Sequence, residues 1–369
     1  MKLKKYTRRQ LWFYLRRAFW ILISWTIISI LLFLYEYKTL EVEGALTSAY
    51  DFKSAFIAVL IVAVSAGLIG GFFTVNLMER WLRKYAFWKA LILIVVAYTL
   101  AAIVVSMSGA LYISSQNLDL PLFNPEVIEE TYFFFGTWMF VKNFILWLGI
   151  VIVTLIVLMV NDKYGPGVFP DYLMGRYFRP KNEERIFMFS DLKNATGIAE
   201  KLGEEKYFNF LKDFFNDIAP AIIETRGEVY QYVGDEIVIS WKMKWGLKNA
   251  NALHCFYRMN ELIEAKVDVY LKRYHVVPLF RTGYHFGPVM VGEIGQIKRD
   301  IAFSGDVLNT TSRIQGMCSE FEVDILASSA FSKIATEMPQ GVEKSLLGKK
   351  HLRGKAEEIE LVTYTRNDI

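Results

Sequence analysis

The chain has 369 residues, with 42 lysines and arginines against 38 aspartates and glutamates and a formal net charge of +4. A 53% hydrophobic and 15% aromatic composition, with mean hydropathy +0.26, excludes a disordered polar chain, and so small a charge gives no reason to expect a nucleic-acid partner. Only Cys255 and Cys318 are present, which excludes a disulfide framework and a cysteine-built zinc site and suits a reducing compartment.

Near the N-terminus, Lys2, Lys4, Lys5, Arg8, Arg9, Arg16 and Arg17 precede an apolar run from Ala18 to about Tyr35. The run is long for a secretory leader and no small-residue cleavage site closes it, so it predicts a first membrane helix. Three further runs, Ala55–Met78, Ala86–Ile113 and Phe140–Val160, each approach the ~20 residues that cross ~30 Å of hydrocarbon. The connection Glu79-Arg-Trp-Leu-Arg-Lys84 is basic like the N-terminus, whereas the other two carry Glu36, Glu41, Glu43 and Asp51, then Asp119, Glu126, Glu129 and Glu130. Lysine and arginine stay inside, so four spans place both ends of the chain in the cytoplasm. Residues 1–160 are therefore expected to be a four-span α-helical membrane domain in a lipid bilayer, the cell's inner (plasma) membrane. The long outer segment between the third and fourth runs is either a tether or a binding element.

A linker is expected over 161–184, where Gly165-Pro166-Gly167, Pro170 and Pro180 interrupt any continuous helix. Its end, Gly175-Arg-Tyr-Phe-Arg-Pro180, either docks on the C-terminal half of the chain or serves as a passive connector. Residues 185–369 alternate strand and helix. Arg185-Ile-Phe-Met-Phe-Ser-Asp191 reads as a buried strand ending in a carboxylate, and Ala195 to Thr225 as one amphipathic helix whose apolar face includes Ile198, Tyr207, Leu211, Phe214 and Ile218. Glu228 to Trp241 reads as a hairpin around Gly234-Asp235, because glycine accepts the positive φ of such a turn. A second helix fits Leu247 to about Arg273, Pro278–Gly295 a hairpin or long strand pair, Asp300–Ser304 a strand, Asp306–Glu320 a helix and Glu358–Tyr364 a last strand. If the Asp191 strand and the hairpin are neighbours, two carboxylates meet, which is costly without a cation and reads as a divalent-metal site. The bland alternative is that strand ends and turns often carry aspartate.

The strand-Asp, helix, strand-Gly-Asp order, followed by Gly305-Asp-Val-Leu-Asn309-Thr-Thr-Ser-Arg313, resembles the class III nucleotidyl cyclases. Ser190-Asp-Leu-Lys-Asn-Ala-Thr196 and Tyr230-Gln-Tyr-Val-Gly-Asp-Glu236 look like a branch of membrane-bound bacterial cyclases, chiefly of Bacteroidetes type. The resemblance implies an α/β catalytic domain with a ferredoxin-like sheet and conversion of a nucleoside triphosphate, expected to be ATP, into its 3′,5′-cyclic product and pyrophosphate. It further implies two Mg2+ or Mn2+ ions on Asp191, Asp235 and the main chain of Leu192, while side-chain alternation along the strand is expected to turn Glu236 to the other face. Asn309 and Arg313, four apart on one helix face, would orient the ribose and stabilise the transition state, and Arg353 with Lys355 would reach the triphosphate. Because the family draws its metal aspartates and its Asn/Arg pair from different subunits, a homodimer with two equivalent sites is expected.

Two positions depart from the familiar adenylate cyclase pattern. Gln231 stands where a base-reading lysine is usual, and Ala302 where aspartate or threonine is usual. A glutamine both donates and accepts, so it can pair with an adenine edge while discriminating less sharply than a charge. Cyclisation of GTP or a pyrimidine nucleotide, and a non-catalytic receptor that only binds nucleotide, are the alternatives. A diguanylate cyclase also carries Gly-Asp-Glu, but its doubled glycine and following phenylalanine are absent from Val233-Gly-Asp-Glu-Ile237. His254, His275, His285 and His351 show no zinc-ligand spacing, and His285 reads as a packing residue.

Overall fold

A computed structural model describes residues 8–46, 50–80, 87–164, 174–297, 300–352 and 358–366. The chain divides into two compact units, Met1–Val160 and Asn161–Ile369.

In the first unit, α1 (Arg8–Val42), α2 (Phe52–Arg80), α3 (Phe87–Leu118) and α5 (Trp138–Tyr164) are each long and apolar enough to cross a membrane, over Tyr14–Val42, Phe52–Gly71, Val95–Leu118 and Trp138–Val160. All four coincide with the apolar runs of the sequence. In hydrocarbon, helices gain no hydrophobic free energy from meeting, so close packing and interhelical hydrogen bonds must hold them. The α1–α2 contact shows how: a Cβ on Gly70 would lie 2.4 Å from the Trp25 ring, and one on Gly67 would lie 2.4 Å from Leu22. Glycine there lets α1 approach closely. Trp25 then donates its indole N–H to Thr154 Oγ1 on α5 at 2.9 Å, and Tyr98 on α3 donates to the Gly70 carbonyl at 3.3 Å. An element that the hydropathy pattern does not show is α4 (Pro125–Phe135), in the connection between α3 and α5. Asn124 caps it by accepting from the Glu126 N–H at 3.0 Å, and Pro125 opens its first turn. Residues 81–84 of the basic connection and the basic residues up to Lys5 lie outside the described residues.

In the second unit, the order strand, helix, hairpin, helix, strand builds a sheet ordered β2-β3-β1-β4, all antiparallel, from β1 (Lys181–Leu192), β2 (Glu228–Val233), β3 (Glu236–Lys242) and β4 (Phe280–Ile294). That is the ferredoxin-like order expected. β6 (Ile325–Ser328) extends it in parallel beside β4, followed by β8 (Glu358–Arg366) and β7 (Val342–His351), while β5 (Asp300–Ser304) pairs with the far end of β4. One sheet face carries Ile186, Met188, Ile237 and Ile239 against Phe210, Phe214, Phe256 and Met259 of the helices. Each such side chain contributes about 1.5–3 kcal/mol on full burial. The other face carries Phe187, Phe189, Val238, Val289 and Val291 beneath Val307 of α10 (Asp306–Gly316).

Several expected elements differ in detail. The helix expected from Ala195 to Thr225 is two, α6 (Ala195–Leu202) and α7 (Glu204–Glu224), broken at Gly203, whose φ is 74°. The second expected helix resolves into short turns followed by α8 (Asn251–Glu264) and α9 (Val267–Tyr274). Pro278–Gly295 is a single long strand, β4, whose hairpin partner is β5. β1 begins at Lys181, inside the stretch read as linker, and Lys181 to Glu184 pair with Val291 to Pro288. Just before it, Tyr177 is buried on the second sheet face, and its carbonyl accepts from the Glu293 N–H at 3.1 Å, so Gly175–Pro180 does dock on this unit. Gly165-Pro-Gly167 and Pro170 lie outside the described residues.

Candidate active site

β1 runs through the middle of the sheet and delivers Asp191 at its end, with Leu192 buried beside it and still in register with Phe280 of β4. Ser190 pairs with Ile237 of β3, so the turn between β2 and β3 falls next to Asp191. Gly234 takes φ 62° in that turn, and Asp235 follows it. The two carboxyl groups lie within hydrogen-bond reach of each other. Burial first, then the hydrogen bond to Asp235 and its charge, then the charge of Glu236, push the Asp191 carboxyl up to about 7, while the Leu192 N–H pulls the other way. Arg281, the ladder partner of Asp191 on β4, turns its guanidinium to Ser319 instead of neutralising the pair.

Strand alternation predicts that Glu236 faces away from this cluster. Glu236 is nevertheless near enough for its charge to raise Asp191, and burial and then the Asp235 charge raise Glu236 in turn. It directly follows the turn, so it stays close whichever face its side chain takes. Among the described residues, no three His, Cys, Asp or Glu side chains converge as a metal cage. What remains is a pair of crowded oxygen donors, a donor set that fits a hard divalent cation which keeps water or phosphate as its other ligands. Tyr207 on α7 is a neighbour that its spacing in the sequence puts only on an apolar face. Burial, then the charges of Asp235 and Asp191, push its hydroxyl up to about 12. Its helical spacing with Phe210 and Phe214 hides that position.

The other expected residues are distributed around the sheet. Asn309 is exposed and Arg313 half-buried on α10, one turn apart, and Arg313 makes no ion pair among the described residues. α10 lies along β4 with Val307 against Gly287 and Gln315 against Gly283. Because Gly287 is level with Arg185 and Arg281 with Asp191, Asn309 sits on the order of 15 Å back along the sheet from the carboxylate pair. Arg313 lies toward the Gln315 end of the helix, which packs at Gly283, the ladder partner of Phe189, so it is Asn309 that one chain leaves apart from the pair. Gln231 is exposed on β2 and Ala302 half-buried on β5, and these strands touch where the Phe303 N–H donates to the Tyr230 hydroxyl at 3.3 Å. His285 is hydrogen-bonded through Nδ1 to Ser328 at 2.7 Å. Arg353 and Lys355 lie outside the described residues.

Residues 179–365 match the family described as the adenylate and guanylate cyclase catalytic domain. The chain is 32% identical over 213 residues to adenylate cyclase 2 of Rhizobium meliloti (strain 1021), covering 58% of this chain and 58% of that protein. It is 26% identical over 184 residues to adenylate cyclase 1 of the same organism, covering 48% of this chain and 27% of that one. Retinal guanylyl cyclase 1 of Rattus norvegicus is 24% identical over 199 residues, covering 53% of this chain and 17% of its own length. The chain thus spans little more than half of the first of these relatives and a smaller share of the others. Among solved structures, a bacterial light-regulated adenylyl cyclase superposes with a TM-score of 0.50 at 21% identity, covering 63% of this chain and 66% of that one, a likeness of fold.

Proposed function

The chain belongs to the adenylate and guanylate cyclase family, and from that premise we propose that it is a membrane-bound adenylate cyclase, converting ATP to 3′,5′-cyclic AMP and pyrophosphate at two sites shared in a homodimer. The observation that carries the reading is the Asp191–Asp235 pair, two carboxyl groups forced together by β1 and the hairpin turn. Mg2+ or Mn2+ held by Asp191, Asp235 and the Leu192 carbonyl would lower the pKa of the ribose 3′-hydroxyl and neutralise the phosphates.

In the reaction the 3′-oxygen forms a bond to the α-phosphorus, the bond from that phosphorus to the bridging oxygen breaks, and pyrophosphate leaves with the electron pair. Negative charge grows on the non-bridging oxygens, where fixed donors act most strongly. Arg313 has the charge to meet it and makes no ion pair among the described residues, and Asn309, on the same helix face, can hold the ribose in line. Arg353 and Lys355 are assigned to the β- and γ-phosphates. Gln231 and Ala302 are assigned to the base. Because Asn309 and the carboxylate pair stand apart within one chain, a two-fold partner must supply one set to the other, which gives two equivalent sites per dimer. The basic residues flanking α1 and following α2 favour a cytoplasmic N-terminus and catalytic unit in the inner membrane, on the side where nucleoside triphosphates are.

The absence of a charged base-reading group favours a second reading, cyclisation of GTP or a pyrimidine nucleotide, over any other alternative. One experiment separates the two: the purified full chain is incubated with ATP, GTP, CTP and UTP in turn with Mn2+, and the cyclic products are identified. Cyclic AMP as main product, lost in Asp191→Ala, supports the proposal. A different main product moves the base assignment and leaves the mechanism, whereas no product from any triphosphate contradicts the enzymatic reading.

A further inference from the structure

We propose that Tyr230 is a positioning residue for base selection: it fixes β2 to β5 and so sets the separation of Gln231 and Ala302. The inference rests on the proposed function, in which those two positions face the base. It starts from an irregularity in the hairpin. Val229 pairs with Ile239 and Gln231 with Val238, so Tyr230 is an extra residue in a β-bulge with no ladder partner of its own. A bulge bends its strand and re-aims the side chains around it. Here it sends Tyr230 to β5, where its hydroxyl accepts the Phe303 N–H at 3.3 Å and the two rings lie 4.7 Å apart, tilted by 32°.

Phe303 is itself clamped. The Phe187 ring meets it edge-on at 5.6 Å, and the Arg185 guanidinium lies 4.8 Å above its centroid. Arg185 is buried and spends its donors on Glu183 at 2.8 Å, Glu228 at 2.6 Å and Ser240 at 3.0 Å, so it does not drift. Tyr230 and Phe303 therefore form a strut between two strands that are not paired with each other. One residue along from each end of the strut stand Gln231 and Ala302. Gln231 is exposed, and its amide makes no hydrogen bond among the described residues, which leaves both donors and the acceptor for a ligand. An amide tells one purine edge from another only if its distance from the opposite wall is fixed. Ala302 offers a methyl group, so that wall is backbone, and its position is set by the strut.

The test compares the detergent-solubilised full chain with Tyr230→Phe, which keeps the ring and removes the hydroxyl, and with Ile239→Val, which loosens the core on the opposite face. kcat and KM are measured for ATP and GTP with Mn2+, together with thermal unfolding. For Tyr230→Phe the ratio of kcat/KM between the preferred purine nucleotide and the other should fall about 3- to 10-fold, the worth of one hydrogen bond. The change should lie in KM, with kcat for the preferred nucleotide within about twofold of the starting value, whereas Ile239→Val lowers the unfolding temperature and leaves the ratio in place. Should Tyr230→Phe fail to fold, Phe303→Leu, which keeps the amide and loses the ring, is read in the same way. An unchanged ratio, or an equal change in Ile239→Val, overturns the inference alone. A starting chain that cyclises no triphosphate overturns the functional reading and the inference with it.

Discussion

At the scale of single residues, the carboxylate pair makes a prediction about stability as well as chemistry. The Asp191 carboxyl rises from an ordinary 3.8 to about 7 in the folded chain, so the fold binds that proton more tightly than the unfolded chain does. Its stabilising contribution is complete below pH ~4 and is lost as the pH rises through ~7. Glu236, raised by burial and then by Asp235, changes in the same direction. The metal-free chain should therefore unfold at a lower temperature at pH 8 than at pH 5, and Asp235→Asn should narrow that difference. Mg2+ at pH 8 should raise the unfolding temperature of the original chain by several degrees and that of Asp235→Asn by little. Differential scanning fluorimetry with Mg2+ or EDTA reads both, and a variant stabilised by Mg2+ as strongly as the original would rule the pair out as the binding site. The two aspartates are legible in the sequence because each closes an apolar run, and the order of the motifs around them, rather than the pair alone, singles them out from ordinary strand-end aspartates. Tyr207 and Tyr230 are not. A tyrosine at helical or strand spacing looks like core, and neither the bulge at Tyr230 nor the nearness of Tyr207 to the two carboxylates leaves a mark in composition.

At the scale of elements, the strands and spans follow from period and length, and what escapes is where elements break or bend. Gly203 sits inside a pattern that stays amphipathic on both sides of it, so the division into α6 and α7 depends on one backbone angle. The short α4 is hidden by the acidic residues that mark its segment as an outer loop, although Asn124-Pro125 is a readable start signal. Two substitutions test how elements are held. Arg185→Ala leaves Glu183 and Glu228 without their shared cation, and with side chains only 16% and 30% exposed these cannot simply hydrate. A loss of about 3 kcal/mol or more is expected in chemical denaturation of the second unit's fluorescence signal, and a loss under about 1 kcal/mol would mean that the triad is not held as described. Gly70→Ala forces a methyl group against the Trp25 ring and should destabilise the α1–α2 contact by about 1–3 kcal/mol, seen as a lower unfolding temperature in detergent. No change there would mean that the two helices pack further apart.

At the scale of the whole molecule, the order of motifs along the chain is readable, and the family resemblance they carry implies a second copy. The sheet puts the carboxylates at one end of β1 and the helix carries Asn309 back toward its middle, the separation that the proposed shared site uses. This geometry turns a set of separate site residues into a claim about assembly, which a mixing experiment addresses directly. Asp235→Ala chains lack one half of each site and Asn309→Ala chains the other. Co-reconstituted in equal amounts, half of the dimers formed at random are hybrids, each with one site intact and one doubly defective, so cyclic AMP production should recover to about a quarter of the original while each variant alone stays near zero. Two folded variants that remain inactive when mixed would contradict a site built by Asp191 and Asp235 of one chain and Asn309 and Arg313 of another.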